Sequence, residues 1–447
     1  MYSPSYYKSV MKRIRSLLLF NLTLMHIFSP PVHGEEKPLE YWLADNAPFW
    51  SWDSETFEQN VGGLGFRWMD ENKTAARAAP LRRPFFGQDA YETVIRFEDG
   101  VPDTVMISYF NRGDATEALS EEDFQDLVRT LMAKLTETLR VQPRPGAQKS
   151  NRSDVRDDSR IWQRSKIQFE LSYSFSPPSG RKPFTSEYVR LTARKFSAGE
   201  VPAFANTTVN PYEIKTNITR DAESGDVWIE NIPMVDQGPK GYCAAATSER
   251  ILRFFGQEVD QHQIAQIANT SSGGGTSSLE LKKALHAVGR QYDFNLSTHI
   301  EWDWGDFQKT LDRYNRNAKK KSVPEIHIDT SRVINLAHIY DALDPETYKE
   351  TKLSRKSDYR KFQEKVKKYI NAGCPLAWSV RVGMFPESTP TGTGGHLRMI
   401  IGYNTQKDEI IYSDTWGRGH EKKSMSTENA FTITNSLFSL EPTGLRL

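Results

Sequence analysis

The stretch Gln237-Gly238-Pro239-Lys240-Gly241-Tyr242-Cys243-Ala244-Ala245-Ala246 decides how this 447-residue chain reads. Two glycines and a proline make a tight turn. The alanines, with Ile251, Leu252, Phe254 and Phe255 behind them, predict a helix that stops at Gly256. Cys243 therefore stands in the first turn of a helix, where unsatisfied backbone N–H groups and the helix dipole favour a thiolate. The same turn brings the Gln237 amide back beside it.

Two stretches far downstream supply what a thiolate nucleophile needs. His396 follows Gly394 and Gly395 and opens the apolar run HLRMIIGYN, which predicts a strand with the ring at its end. A TQKD turn leads into EIIYSDTW, which carries Asp414. Counting outward from a turn near Gln406, an antiparallel pairing places position 396 roughly opposite 415, within reach of an imidazole-to-Asp414 hydrogen bond. These side chains suit acyl transfer: Cys243 attacks a carbonyl, His396 activates the thiol and protonates the leaving group, Asp414 orients the imidazole, and Gln237 helps hold the oxyanion.

Taken singly, each residue has a plainer reading. A cysteine near a helix start is commonly a small buried apolar residue, and a histidine beside glycines commonly lies on a surface loop. Four positions in the right order, with Trp416 beside Asp414, weigh for catalysis. His262, His286, His299, His327, His338 and His420 have no comparable neighbours in the sequence. No HExxH or CxxC spacing occurs, so no metal site is expected and no cofactor is required. The glycines at 273–275 are followed by Thr276 and Ser277, a poor phosphate loop and a better helix connection.

Lysine plus arginine (58) nearly balances aspartate plus glutamate (57), so net charge argues for neither nucleic acid nor an anionic membrane as partner. The lysine run at 319–321 reads as a solvated helix end. Lys8, Lys12, Arg13 and Arg15 precede SLLLFNLTLMHIF and then SPPVHG, which predicts a secretory signal peptide over residues 1–34. The apolar run is shorter than the roughly 20 residues of a spanning helix, leaving an uncleaved anchor as the lesser alternative and no stable membrane span after leader removal. Export, to a periplasmic or extracellular location, would allow the two cysteines one disulfide. Their contexts point instead to different roles: Cys374 in the apolar INAGCPLAWSV as a buried thiol, Cys243 as a reactive one.

The pattern divides the remainder into an α+β accessory domain at 38–197, a polar linker at 198–226, and a second α+β domain at 227–447 with a helical insertion at about 300–370. In the accessory domain YETVIRF and TVMISYF flank EDGVPD as one hairpin. Ile167 to Phe175 and Val189 to Arg194 alternate as a second. Between them Ser120 caps a helix whose Phe124, Leu127, Val128, Leu131, Leu135 and Leu139 form an apolar stripe, and GAQKSNRSDVRDDSR reads as an exposed loop. In the second domain, helices in DQHQIAQIAN, SSLELKKALHAVG, WGDFQKTLDRYNRNAKKK and YRKFQEKVKKYI precede strands in PLAWSVRV, HLRMIIGYN, EIIYSDTW and FTITNSLF.

Gln237 six residues before Cys243, a histidine after glycines, and Asp414-Thr415-Trp416-Gly417 resemble the papain-like cysteine peptidases over about residues 232–431. Aspartate as the orienting residue, Gly-Tyr before the cysteine and alanines after it are most similar to the bacterial branch of double-glycine-leader peptidases and staphopain-like enzymes. Ala244 stands where double-glycine peptidases usually carry glycine. The resemblance implies helices packed on an antiparallel sheet, a peptide or protein substrate, Cys243 as nucleophile, His396 as base and acid, Asp414 as orienter, Gln237 as oxyanion amide, and Trp416 as a shield. Two other readings stay open: a cell-wall amidase or transpeptidase using the same residues, and a non-catalytic secreted binding protein on the same scaffold. The accessory domain could serve as an inhibitory pro-region, a substrate-binding module or an anchor to a partner.

Overall fold

The computed structural model describes residues 38–447 except 45, 113–114, 116, 147–154, 181–182, 196–210, 239–240, 258, 260, 269–277, 329–333, 388–392, 444 and 446–447. The leader, most of the polar connection up to 210 and the glycines at 273–275 lie outside the described residues. Residues 39–447 form one compact unit containing two separate antiparallel sheets.

The first sheet runs in the order β1-β2-β3-β4-β8-β7-β6-β5, with β1 Arg67–Trp68, β2 Ala75–Ala78, β3 Glu92–Glu98, β4 Val101–Asn111, β5 Arg144–Pro145, β6 Arg156–Arg164, β7 Ile167–Ser176 and β8 Thr185–Lys195. Asp99 and Gly100 turn β3 into β4 at φ 50° and 78°, the left-handed pair that a two-residue hairpin requires. Strands β7 and β8 pair as the alternation predicts. Helix α1 (Ser54–Val61) begins at Asp53, whose side chain accepts from the Thr56 N–H. Helix α2 (Glu121–Leu139) is capped by Ser120 and buries Phe124, Val128, Leu131, Leu135 and Leu139 against the sheet. Each such side chain contributes roughly 1.5–3 kcal/mol by leaving water. The loop expected in GAQKSNRSDVRDDSR gives way at Arg156 to strand β6, which pairs along β7 and buries Ser159, Ile161 and Trp162.

The second sheet has the order β11-β16-β12-β13-β10-β9, with β14 on β13 and β15 on β14. Its strands are β9 Ile218–Arg220, β10 Asp226–Ile229, β11 Phe294–Ile300, β12 Leu376–Val382, β13 Gly394–Asn404, β14 Glu409–Ser413, β15 Lys423–Ser426 and β16 Thr434–Pro442. Helices α3 (Cys243–Phe254), α4 (Gln261–Ala268) and α5 (Ser278–Gln291) come first and pack together, giving the α+β arrangement that the pattern predicts. Ala244 through Leu252 of α3 are all buried. Small alanines let the helix lie close to β13, where the Thr247 hydroxyl donates to the Leu397 carbonyl at 3.1 Å.

The segment between β11 and β12 holds α6 (Trp304–Lys321), α7 (Leu336–Ala342), α8 (Pro345–Leu353) and α9 (Lys356–Asn371). Phe307, Leu311, Tyr314, Ala318, Leu343 and Tyr348 give it a small core of its own. It meets β12 through an ion pair between Asp341 and Arg381, and Arg381 pairs across the ladder with Gly395. The last apolar run is helix before it is strand: α10 (Thr427–Ile433) takes its first half, because Ser426 caps it, and β16 the rest.

Candidate active site

Cys243 is the first residue of α3. Tyr242 precedes it at φ −94°, ψ 15° and offers no side-chain cap to the first-turn N–H groups. The thiol is half-buried. Upstream, Gly238 adopts φ +66° and its N–H donates to Asp236 Oδ1 at 2.8 Å, which closes the bend before the helix. Gln237 is tied to the strand end opposite: its N–H donates to the Thr415 carbonyl at 2.9 Å, and the Thr415 hydroxyl donates to Gln237 Oε1 at 2.5 Å. That second bond fixes the amide with its NH₂ as the donating end.

His396 lies near the start of β13 and is 8% exposed. Its ring interacts with the Cys243 thiol, and Nε2 faces Asp414 Oδ1 at 2.5 Å. Trp416 stacks on the ring, with centroids 4.4 Å apart and planes 12° from parallel. Asp414 also accepts from the Thr415 N–H at 2.9 Å and from Arg398 Nε at 2.7 Å.

Charge in this cluster runs one way. Burial pushes the Cys243 thiol up, but the His396 hydrogen bond and charge, with the Leu397 and Ala244 backbone, outweigh it and hold the thiol below its ordinary value. Burial pulls His396 down, and the Asp414 charge and hydrogen bond, aided by Cys243, override it and carry the imidazole up to about 9. Burial pushes Asp414 up, while His396 and Arg398 bring it below the usual carboxylate range. Both the thiol and imidazole shifts favour a thiolate beside an imidazolium.

The sequence-predicted residues Gln237, Cys243, His396, Asp414 and Trp416 thus come together from three chain segments. The register differs by about one residue from the expected one. Met399 pairs with Ser413, after an irregularity between Ile400 and Gly402, so the pairing carried onward puts Arg398 across from Asp414 and His396 on the diagonal.

Sequence reasoning passed over the charged groups behind the pair. Arg398, 1% exposed, holds Asp414 on one side and Glu387 at 2.9 Å on the other, and lies over the rings of Tyr412 and Trp416. The available signal was a guanidinium in an otherwise apolar strand, two residues from His396 and so on the same face. Arg250, also 1% exposed, donates to the carbonyls of Pro233 (2.8 Å) and Asp414 (2.7 Å) and to Ser413 Oγ (2.6 Å). Burial pulls it down to about 10, still charged at neutral pH. Two histidines have closer company than the sequence suggests. His262 is buried against Glu92, and His420 lies edge-on to Trp416.

Residues 229–436 match the model of the Peptidase_C39 like family. This stretch is similar to that family. It includes Gln237, Cys243, His396, Asp414 and Trp416, covers a little under half of the 447 residues, and leaves the first sheet outside. The family is one of cysteine peptidases, whose substrate class is peptide or protein. No curated relative matches the chain. Among the described residues, no helix is long and apolar enough to cross a membrane, no group of His, Cys, Asp and Glu is gathered as a metal site, and Cys243 and Cys374 are both free thiols.

Proposed function

We propose that this chain is an exported cysteine peptidase that hydrolyses peptide bonds through Cys243, His396 and Asp414. On this reading residues 1–34 are a leader, 38–197 an accessory domain, 198–226 a linker, and 227–447 the peptidase domain. The observation that carries it is the single imidazole of His396 between the Cys243 thiol and the Asp414 carboxylate, stacked on Trp416.

The thiolate attacks the substrate carbonyl carbon, and the carbonyl electron pair moves onto oxygen. The Gln237 NH₂ and the Cys243 backbone N–H donate to that oxyanion. The imidazolium gives its proton to the amine as the C–N bond breaks, leaving a thioester. His396 then takes a proton from water, hydroxide adds to the thioester, and the carboxylate product leaves with the thiolate restored. Asp414 keeps its charge throughout and holds the ring in the tautomer that faces the sulfur.

A peptide library incubated with the full chain, beside Cys243→Ala, tests this. Cleavage at discrete bonds by the native chain alone is expected. Identical product patterns for both proteins would remove the assignment.

A further inference from the structure

The first sheet lies outside the matched family stretch, yet it reaches the two segments that flank the nucleophile. Arg77 on β2 is 11% exposed and forks between two carboxylates: Nε meets Glu92 of β3, and Nη1 lies 3.3 Å from Asp236 Oδ2. Asp236 is next to Gln237, holds the Gly238 N–H, and makes a bridge with Trp416. Glu92 is 5% exposed, and its other oxygen lies 2.7 Å from His262 Nε2. Asn111 of β4 takes the second ring nitrogen of His262. The ring of Tyr242, the residue before Cys243, lies edge-on to His262 with centroids 5.9 Å apart. Gln261, the neighbour of His262, donates its side-chain amide to the Asp236 carbonyl at 3.1 Å.

From these contacts we propose that Arg77 and Glu92 of the first sheet are positioning residues for the oxyanion site, acting through Asp236 on Gln237 and through His262 on the turn into Cys243. The inference rests on the peptidase reading of the site. Three observations support it independently. Arg77, Glu92 and His262 are 11%, 5% and 6% exposed, so breaking this group strands a nearly dry charge and costs more than breaking a surface pair would. Glu249, 4% exposed on α3, takes Arg96 of β3 in the same seam, which ties the nucleophile helix itself to the sheet. Lastly, the bend is shaped around Arg77: a Cβ at Gly238 would come within 2.8 Å of Arg77 Nη2, so glycine there serves both the positive φ and the approach of the guanidinium. The accessory sheet is thereby part of the working site rather than a detachable inhibitor.

Oxyanion placement matters to acylation and not to alkylation of the thiol, which separates positioning from general damage. In the full chain, Arg77→Met is expected to lower kcat about tenfold to a hundredfold on a peptide that the native chain cleaves, with KM and the pH profile of iodoacetamide reaction at Cys243 unchanged. In a Gln237→Ala background the same change should cost little more, because the donor it positions is gone. Should Arg77→Met fail to fold, Glu92→Gln, which keeps shape and removes charge, takes its place, with the same fall in kcat expected at unchanged KM and unchanged alkylation profile. Native kcat in a folded Arg77→Met or Glu92→Gln chain, or a full additional loss when Arg77→Met is added to Gln237→Ala, overturns the proposal. If the native chain cleaves nothing beyond Cys243→Ala, the peptidase reading itself falls, and this inference with it.

Discussion

Replacing Asp414 by Asn keeps the shape behind His396 and removes the charge that sustains the imidazolium. Burial by itself pulls this ring down, and Asp414 is the largest influence carrying it up to about 9 from the ordinary 6.5. That displacement corresponds to about 3 kcal/mol in favour of the charged ring. With Asn the burial effect is left mostly unopposed, so the imidazole becomes neutral at pH 7 and the thiol loses the cation that lowers it. The amide also presents a donor or an acceptor by rotation, so the ring tautomer is no longer fixed, and kcat should fall by several orders of magnitude, as in other triads so altered. The assay is the rate of iodoacetamide alkylation of Cys243 against pH, with product mass to identify the residue. The native chain should react at a pH below the free-thiol value of about 8.5, and Asp414→Asn, with burial left to push the thiol up, at or above it. Superimposable profiles for the two proteins would refute the ion pair, as would a native profile centred on the free-thiol value.

Native protein should take up one alkyl group, at Cys243, while Cys374, wholly buried and pushed well above its ordinary value by burial, should react only in denaturant. Because the His396 value is raised in the folded state, its stabilising contribution is complete below about 6.5 and disappears as pH rises through about 9. Melting temperature should therefore fall more steeply between pH 7 and 10 for the native chain than for His396→Ala. Arg398→Met strands the carboxylates of Asp414 and Glu387 in a dry site, and urea unfolding should show a loss of about 3–5 kcal/mol. Trp416→Ala removes the face stacked on the imidazolium, a contact of about 1–2 kcal/mol, and should lower kcat about tenfold with KM little changed.

Side-chain type and local pattern made much of the site legible. Glycine, proline and alanine around Cys243 specify a bend and a helix start whatever lies elsewhere, and Gly394-Gly395-His396 marks a strand end. The register was harder to read, because the irregularity between Ile400 and Gly402 adds a step that alternation does not reveal. Arg398 and Arg250 went unread as site residues because a charged side chain is ordinarily taken as solvated; only their partners on other segments explain their burial. Strand β6 was hidden in the same way. Asp157, Asp158 and Arg160 read as loop, yet Asp158 accepts from the Tyr173 hydroxyl on β7, and the neighbouring strand supplies the order that composition lacks. The seam holding Arg77, Glu92 and His262 was least legible, since it joins positions 159 and 170 residues apart that carry no shared motif.

Arg250 has a consequence for how the protein should fail on heating. One planar guanidinium fastens the helix that begins at Cys243 to the backbone of Asp414 and to the segment leading to Gln237, so these three pieces cannot loosen one at a time. Thermal inactivation should then coincide with melting of the second sheet instead of preceding it, and a lysine at 250, which cannot reach three acceptors in one plane, should open a temperature interval in which the protein is folded but inert.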